Sequence, residues 1–397
     1  MAVPGIARGP LRPRYDAVII GGGLQGVALA YELARKGMRD VCVVEASYPG
    51  AGASGRNGEL IRSAFSSPEW ATLFEISLRK WHTLSAELDV NVLFTPAGYL
   101  VLASTEADFR RCRLAAERHR QLGIRTDLLD ARSVCQAVPA LNPDRVAGGL
   151  FQRDGGFAHH DAVVWGYVRA AAWQGVEVHP FTTVTGIRVE GGRVTGVETT
   201  CGTISTPMVV DAAGGQAREV AALAGVALPT RTLRLEAFVT EALRPFLRPG
   251  VALLSLLGYC HQTTRGEFVG GTEQRIMEPE DSLRTTLVGL RDACQKFVDV
   301  FPLLAGVRLI RQWAGVVDLT PDLAPVLGPA PEVEGFWLDC GWIYGFMGAP
   351  GAALLLARAI VDGRMPAPLA PFTVERLYTG RLIKEASLVV ASPESAA

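Results

Sequence analysis

Three glycines near the amino terminus constrain this chain more than any other feature of its sequence. Gly21, Gly23 and Gly26 have the spacing G-x-G-x-x-G and directly follow the apolar run Val18–Ile20. In such a pattern the first glycine permits a tight turn, the second lets the backbone approach a pyrophosphate, and the third lets a helix pack closely on the strand. The pattern therefore predicts a strand, a glycine turn and a helix that together bind a dinucleotide.

The residues that follow agree with this prediction. A helix is predicted over residues 24–36, and its N-terminal N–H groups and its dipole would face the pyrophosphate. Val41–Val44 is a second predicted strand, and Glu45, nineteen residues after Gly26, is placed to accept hydrogen bonds from a ribose hydroxyl. The alternative is a glycine turn with a structural role only; strand, helix, spacing and acidic residue together favour dinucleotide binding.

Length and composition exclude several classes of protein. At 397 residues the chain is long for one hydrophobic core, so we expect two domains or one domain interleaved with another. Its 39 Lys and Arg against 40 Asp and Glu provide no overall basic field to recruit nucleic acid. The seven cysteines are odd in number and contain no C-x-x-C pair, so we expect neither a disulfide framework nor a metal or iron–sulfur site.

The sequence also carries signals of location. Residues 1–14 contain prolines and arginines but no apolar region of the kind found in a signal peptide. No charge-free apolar run approaches the length needed to span a bilayer. We therefore expect a cytoplasmic protein with no membrane span.

Later segments give further structural predictions. The glycine- and serine-rich stretch 48–65 is too polar for a core and too long for a turn, as functional loops are. Asp161 is the predicted N-cap of a helix. Further helices are predicted over residues 281–301 and 352–361, and the proline-containing tail after Gly363 is expected to be an extended arm or interface strap, disordered at its tip.

The rest of the chain separates the two common dinucleotides. The apolar pattern does not resume the regular alternation of helix and parallel strand that a complete six-stranded NAD domain shows. From Tyr15 to about Gly380 the chain resembles the D-amino-acid-oxidase-type FAD oxidoreductases, most closely the beta subunit of heterotetrameric sarcosine oxidase and the related proline and hydroxyproline dehydrogenase beta subunits. The strings that carry the resemblance are GASGRNG (52–58), HDAVVWGYVRAA (160–171), GVETTCGTI (196–204), RQWAGVVDLTPDLAPVLG (311–328) and PFTVERLYTG (371–380).

The resemblance implies a mixed α/β fold with two interleaved domains. A Rossmann-like FAD-binding domain is expected from residues 14–90, 158–225 and 321–365. A substrate domain built on a mostly antiparallel sheet is expected from 91–157 and 226–320, with 366–397 as a C-terminal extension. FAD contacts are expected at the glycine turn, at a loop and at a late turn: Gly21, Gly23, Gly26, Glu45, Ser54, Arg56, Asn57, Gly58, Gly345, Phe346 and Met347.

The resemblance also implies a reaction, the oxidation of a C–N bond in an amino acid or secondary amine of the sarcosine, proline, hydroxyproline or opine type. Hydride transfer to flavin N5 would give an imine that water hydrolyses. The pattern implies three catalytic residues: Arg62, Tyr259 and His261. Because Val316 stands where many relatives have a carboxylate-binding arginine, Arg62 is the expected replacement, the alternative being a surface or flavin-phosphate arginine.

Tyr259 matches a tyrosine that lines the substrate pocket of glycine-oxidase-like relatives. His261 lies two residues further on the same face of a predicted strand and could assist deprotonation of the amine. The alternative for His261 is a buried histidine bonded to a backbone carbonyl. His160 matches the histidine that carries a second flavin, a covalent FMN, in sarcosine oxidase beta subunits, although this chain has His159 where an arginine is common. Its alternative is a histidine at the start of a helix.

Met347 departs from the resemblance in an informative way. Sarcosine oxidases have a lysine at this position, and a cation beside reduced flavin favours reaction with oxygen. We therefore expect electrons to leave through an alpha-type partner subunit, which would also hold any other redox centre. Three alternatives are a self-sufficient oxidase that makes hydrogen peroxide, a non-catalytic assembly subunit, and a nicotinamide dehydrogenase.

Overall fold

The computed structural model describes residues 4–7, 9–272 and 282–385. Its strands, in chain order, are β1 (Ala17–Ile20), β2 (Val41–Val44), β3 (Leu60–Ile61), β4 (Tyr99–Ala103), β5 (Asp127–Asp130), β6 (Gly148–Gln152), β7 (Gly156–Phe157), β8 (Glu177–His179), β9 (Val184–Glu190), β10 (Arg193–Thr199), β11 (Gly202–Ser205), β12 (Val209–Asp211), β13 (Arg231–Ala242), β14 (Gly250–Leu253), β15 (Gly258–Gln262), β16 (Glu267–Thr272), β17 (Leu309–Leu319), β18 (Val326–Pro329) and β19 (Phe336–Cys340).

The helices carry most of the remaining core side chains. In chain order they are α1 (Leu24–Arg35), α2 (Pro68–Glu87), α3 (Glu106–Leu122), α4 (Ala131–Ala137), α5 (His160–Trp173), α6 (Ala217–Leu223), α7 (Leu287–Val300), α8 (Gly345–Asp362) and α9 (Glu375–Tyr378).

A six-stranded sheet carries the glycine pattern near its centre. Its order is β18-β19-β12-β1-β2-β8, and every pair is parallel except β18 with β19. Strands β1 and β2 are buried along their whole length because α1, α5 and α8 pack over one face, and α6 and the β9-β10-β11 sheet over the other. Because β1 and β2 are parallel, the loops that follow them both leave the sheet at the carboxyl ends of the strands, where ligands bind in such folds.

A second sheet faces the carboxyl ends of these strands. Its order is β17-β13-β16-β15-β14-β4-β6-β5, and its pairs are antiparallel apart from β14 with β4. The apolar side chains of α4 and α7 cover one face of this sheet. The fold class is the predicted mixture of a Rossmann-like unit and a mostly antiparallel sheet; the domain boundaries stay a prediction.

Two predicted helix starts are wrong. Helix α5 begins at His160 after His159 as N-cap, so Asp161 lies in the first turn, where its charge still favours the helix dipole. Helix α7 begins at Leu287, because the hydroxyl of Thr286 accepts the N–H of Gly289 at 2.9 Å and caps it. The predicted earlier start at residue 281 lies outside the described residues.

The largest difference concerns α8, predicted from residue 352 but observed from Gly345. The glycines and Pro350 of this stretch disfavour a helix locally, yet tight packing supports one here. A Cβ on Gly351 would lie 2.7 Å from the backbone of Ser77, so only glycine permits the close contact with α2. Helix α8 is long and apolar enough to cross a membrane by length and composition, but 67% of it is buried inside the fold, as in a core helix.

The expected extended arm is also wrong as far as residue 385. Leu369, Phe372 and Val374 are buried. Arg376 forms a buried ion pair with Asp322, its Nε lying 2.8 Å from Oδ2. This segment is therefore part of the packed fold, and the expected disordered tip lies outside the described residues.

Candidate active site and cofactor cavity

A cavity of about 960 Å³ lies between the two sheets. Its wall runs from the glycine turn, past the loop after β2 and the start of α8, to β15 of the second sheet. The predicted residues that line it are Gly21, Gly23, Glu45, Ser54, Arg56, Asn57, Gly58, Tyr259, Gly345, Phe346 and Met347. Tertiary structure thus brings together most of the predicted site residues, although they come from distant segments.

The glycine turn closes one end of this cavity with backbone alone. Gly21 has φ +115°, and a Cβ there would lie 2.3 Å from the carbonyl oxygen of Ala212. Gly26 does not line the cavity; a Cβ on it would lie 2.1 Å from the oxygen of Gly21, which explains its role in helix packing. Helix α1 begins at Leu24 and directs its N-terminus at the cavity.

Glu45 marks the nucleotide end of the cavity. Its Oε2 accepts the N–H of Gly22 at 2.7 Å and its Oε1 accepts the N–H of Ser47 at 2.8 Å, so the carboxylate is held in place. Each carboxylate oxygen has a second lone pair for a ribose hydroxyl. A cradle without Cβ atoms, a helix N-terminus and an oriented carboxylate fit the adenosine diphosphate half of FAD.

The loop of residues 54–58 connects this end to the second sheet. Trp313 in β17 donates its Nε1–H to the carbonyl oxygen of Arg56 at 2.9 Å. A Cβ on Gly58 would lie 2.0 Å from the ring of Tyr259, so the glycine allows this ring to pack against the loop. The loop and the ring of Tyr259 therefore form one continuous part of the cavity wall.

The start of α8 supplies the next part of the wall. Its N-cap, Tyr344, makes no side-chain cap, and the N–H groups of the first turn have no acceptor within the helix. Gly345, Phe346 and Met347 of that turn line the cavity. A helix N-terminus here fits the negative charge that collects on a reduced flavin ring.

Two buried aspartates that the sequence analysis missed also line the cavity. Asp339 is 0% exposed; its Oδ1 accepts from Trp342 Nε1 at 2.7 Å, and its Oδ2 has no hydrogen-bond partner within the described residues. Burial raises the pKa of Asp339 to about 7 and that of Asp318 to about 6. The orphaned oxygen of Asp339 fits a hydroxyl donor such as the ribityl chain of FAD.

Glu59 is a further residue of the wall that the sequence analysis missed. Its Oε1 lies 2.6 Å from Nδ1 of His160, and its Oε2 lies 3.6 Å from Nε2 of His261. Neither histidine lines the cavity. The ring of His261 therefore lies near this carboxylate, whereas the alternative for His261 was a bond to a backbone carbonyl. The catalytic role of His261 stays a prediction.

Arg62 lies behind the wall rather than in it. The residue is 1% exposed, so the surface alternative is wrong. Its guanidinium carbon lies 4.0 Å from the ring centre of Phe65, 5.4 Å from that of Tyr99 and 5.7 Å from that of Tyr344, and Nη1 donates to the oxygen of Ala64. Because Tyr99 and Tyr344 line the cavity, the cation lies one side-chain layer from it.

A signal for one of the missed residues was present in the sequence. Asp339 stands near the end of the extended segment that forms β19, and an open, mostly parallel sheet places its ligands at such ends. Asp318 lies in β17 of the mostly antiparallel sheet, so this rule does not apply to it. Glu59 follows the glycine-rich loop directly, but nothing local pairs it with histidines 101 residues and more away.

Comparison with known proteins agrees with this geometry. A model of the FAD-dependent oxidoreductase family matches residues 16–359, so the chain belongs to that family. Membership of this family supports FAD as the cofactor, and the residues described above fit it.

Individual relatives are similar over almost the whole chain. Sarcosine oxidase subunit beta of Rhodobacter capsulatus is 34% identical over 382 residues, which cover 94% of this chain and 91% of that protein. The Arthrobacter protein of the same name is 35% identical over 379 residues, covering 94% and 93%. Among solved structures, L-proline dehydrogenase from P. horikoshii superposes with a TM-score of 0.90 at 27% identity, covering 94% of this chain and 100% of that one.

Proposed function

We propose that this chain catalyses the FAD-dependent oxidation of a C–N bond in an amino acid or secondary amine, as the beta-type catalytic subunit of a multi-subunit dehydrogenase. One observation carries this proposal: a single cavity joins the dinucleotide end at Gly21 and Glu45 to a pocket lined by Tyr259 and Tyr344. The names of the similar proteins, which are amine and amino-acid oxidoreductases, support the same class of substrate.

The residues of this chain would bind and orient the substrate. When bound, FAD accepts two electrons and the hydrogen of the substrate C–H bond. Tyr259 would form the pocket wall that places the C–H bond, and Arg62 would attract the substrate carboxylate from behind Tyr99 and Tyr344. After the two-electron oxidation, water hydrolyses the imine product.

An anaerobic spectral titration tests the proposal. Purified protein should show flavin absorbance, and one of sarcosine, proline, hydroxyproline or an opine should bleach it without oxygen. Flavin that no amine bleaches would support the non-catalytic alternative, and a protein that binds no flavin under any loading condition would overturn the proposal.

The acceptor of the electrons is proposed to be a partner subunit. Met347 brings an uncharged thioether to the wall at the start of α8, where a lysine would favour reaction with oxygen. The exposed apolar side chains of Leu287 and Ile310 support a subunit contact on their own surface, since Gln312 bonds to the oxygen of Thr286 and brings their two segments together. Co-expression with an alpha-type subunit, followed by light scattering to measure the mass of the complex, tests the subunit contact.

FMN at His160 is a further proposal, derived from the resemblance. Glu59 engages Nδ1 of His160, while Nε2 lies 3.6 Å from Oδ1 of Asp161 in a side chain that is 23% exposed, and this supports attachment through Nε2. Flavin retained by the protein after acid precipitation would support a covalent bond; complete release would exclude it. The cytoplasmic location stays a prediction from the sequence.

A further inference from the structure

Glu59 lies between the cavity and two histidines that come from separate elements. His160 begins α5, and its Nδ1 lies 2.6 Å from Oε1 of Glu59; its backbone N–H also donates to that oxygen at 3.1 Å. His261 in β15 is 0% exposed, and its Nε2 lies 3.6 Å from Oε2. One carboxylate of the cavity wall is thus approached by imidazole nitrogens at both oxygens.

The backbone of Glu59 is held in an uncommon conformation. Its φ of +62° lies in the left-handed region, which costs a non-glycine residue on the order of 1 kcal/mol. Two hydrogen bonds stabilise it: Oδ1 of Asn57 accepts the N–H of Glu59 at 2.6 Å, and the oxygen of Glu59 accepts the N–H of Ala158 at 3.0 Å. The fold therefore fixes the position of this carboxylate.

The cluster keeps Glu59 negatively charged. Burial alone would raise the pKa of Glu59, but the hydrogen bond from His160 and the nearby ring of His261 outweigh it and hold that pKa well below its usual range. Burial favours neutral His160, but the hydrogen bond and charge of Glu59 outweigh it and raise the pKa of His160. The other titratable groups around the cluster are Asp161, 3.6 Å from Nε2 of His160, and His159, whose ring stacks on His160 at 4.9 Å.

The other carboxylates of the cavity wall are less suited to meet a cation at this end. Glu45, beside the glycine turn, is engaged by two backbone N–H groups, and Glu219 is an exposed residue of α6. Asp318 and Asp339 are buried and have raised pKa values, so each takes up a proton at a higher pH than Glu59 does. Glu59, next to the loop glycine that contacts Tyr259, is held as an anion in the part of the wall that this loop forms.

We propose that Glu59 determines substrate specificity by binding the cationic amine of the substrate, with His160 and His261 as positioning residues that hold its carboxylate. Ionised carboxylates have lone pairs for more partners than the two histidines, so an ammonium N–H can be added. Glu59 and Arg62 flank the two residues of β3, so one short segment offers a negative and a positive group to a zwitterion. This inference rests on the proposed function.

A comparison of two ligands in the FAD-loaded protein tests it. The amine substrate carries a cationic nitrogen, whereas methylthioacetate has the same carboxylate with sulfur in place of the amine. In E59Q the Kd of the amine, from anaerobic flavin reduction, should rise about 10- to 100-fold, while the Kd of methylthioacetate, from the flavin spectrum, should stay within about twofold. E334Q, a surface carboxylate change at a residue paired with Arg193, is the matched control.

Equal losses for both ligands in E59Q, or no change for either, would overturn the role of Glu59. If no amine reduces the wild-type flavin, the proposed function fails. The unreacted amine is then compared with methylthioacetate through the flavin spectrum, which still tests Glu59.

A second variant separates charge recognition from folding. In H261Q one of the groups that lower the pKa of Glu59 is lost, so Glu59 should take up a proton at a higher pH than in wild type. As the pH is lowered from 7, amine affinity should therefore begin to fall at a higher pH in H261Q than in wild type, with methylthioacetate unaffected. Parallel pH curves for H261Q and wild type would count against the positioning role.

Discussion

The two ends of the cavity are built in different ways. At the nucleotide end, Gly21, Gly23 and Glu45 come from one continuous segment, and the contacts are largely backbone atoms and one carboxylate. At the substrate end, Glu59, Tyr259 and side chains of α8 come from segments far apart in the chain. A site formed by the backbone of one segment can be predicted from the local spacing of residues. A site formed by side chains from several segments depends on how the sheets pack.

A substitution at Gly26 should break the nucleotide end most severely. In G26V the added Cβ would lie 2.1 Å from the oxygen of Gly21, so α1 must move away from the turn. A cost of about 3 kcal/mol corresponds to roughly 100-fold weaker FAD binding, measured by flavin fluorescence during titration of apoprotein. G9A, at a glycine with no atom within 4 Å of the added Cβ and no positive φ, should retain FAD. Equal retention by both variants would show that close packing at Gly26 does not matter.

The next largest effect is expected at Arg62, which tests whether a cation behind the wall serves the substrate end. R62Q should lower kcat/KM for an amino-acid substrate about 10- to 100-fold, mainly through KM, because a charge-assisted contact with the carboxylate is lost. R79Q, on the exposed face of α2, is the control. A fall in thermal stability with KM unchanged would instead assign Arg62 to packing of Phe65 and Tyr344.

Asp339, between the two ends, should show a pH-dependent stability effect. An unfolded aspartate has a pKa near 3.9 and burial raises the pKa of Asp339 to about 7. The folded apoprotein therefore binds the extra proton, and its stability falls as pH rises from about 4 to 7. D339N should be more stable than wild type by about 1–3 kcal/mol at pH 8 and no more stable at pH 4.

Urea unfolding of the apoprotein at the two pH values measures this difference. A gain of equal size at pH 4 and pH 8 would show that ionisation of Asp339 is not its source.

The smallest effect is expected at Met347, which lines the cavity at the start of α8. M347K should speed reoxidation of reduced flavin by oxygen about tenfold, since a nearby cation stabilises developing negative charge. M347L, which stays uncharged, should behave like wild type. Stopped-flow absorbance measures both rates. Wild-type reoxidation by oxygen as fast as by an artificial dye would favour the peroxide-producing alternative.

Much of the fold could be predicted because its elements are locally determined. Strand β2 has the predicted bounds, and Ser67 caps α2 as the Ser-Pro-Glu pattern suggests. The early start of α8 could not be predicted, because Gly345 and Pro350 disfavour a helix until packing against Ser77 stabilises it.

The candidate site could be predicted only in part. The glycine turn, the loop of residues 54–58 and Tyr259 line the cavity as expected, whereas Arg62 and His261 lie behind its wall. Sequence spacing places a residue on an element and on a face. The depth of its side chain depends on neighbours from other segments, such as Tyr344 for Arg62 and Phe157 for His261.

The sequence alone predicted a dinucleotide site around Gly21, Gly23, Gly26 and Glu45, because the turn, the helix dipole and the acidic residue act within about thirty residues. Tertiary structure alone decided that Glu59 meets His160 and His261, and that Asp339 is buried with an orphaned oxygen. Burial and charge at those residues arise from contacts between segments more than a hundred residues apart, and no local pattern encodes them.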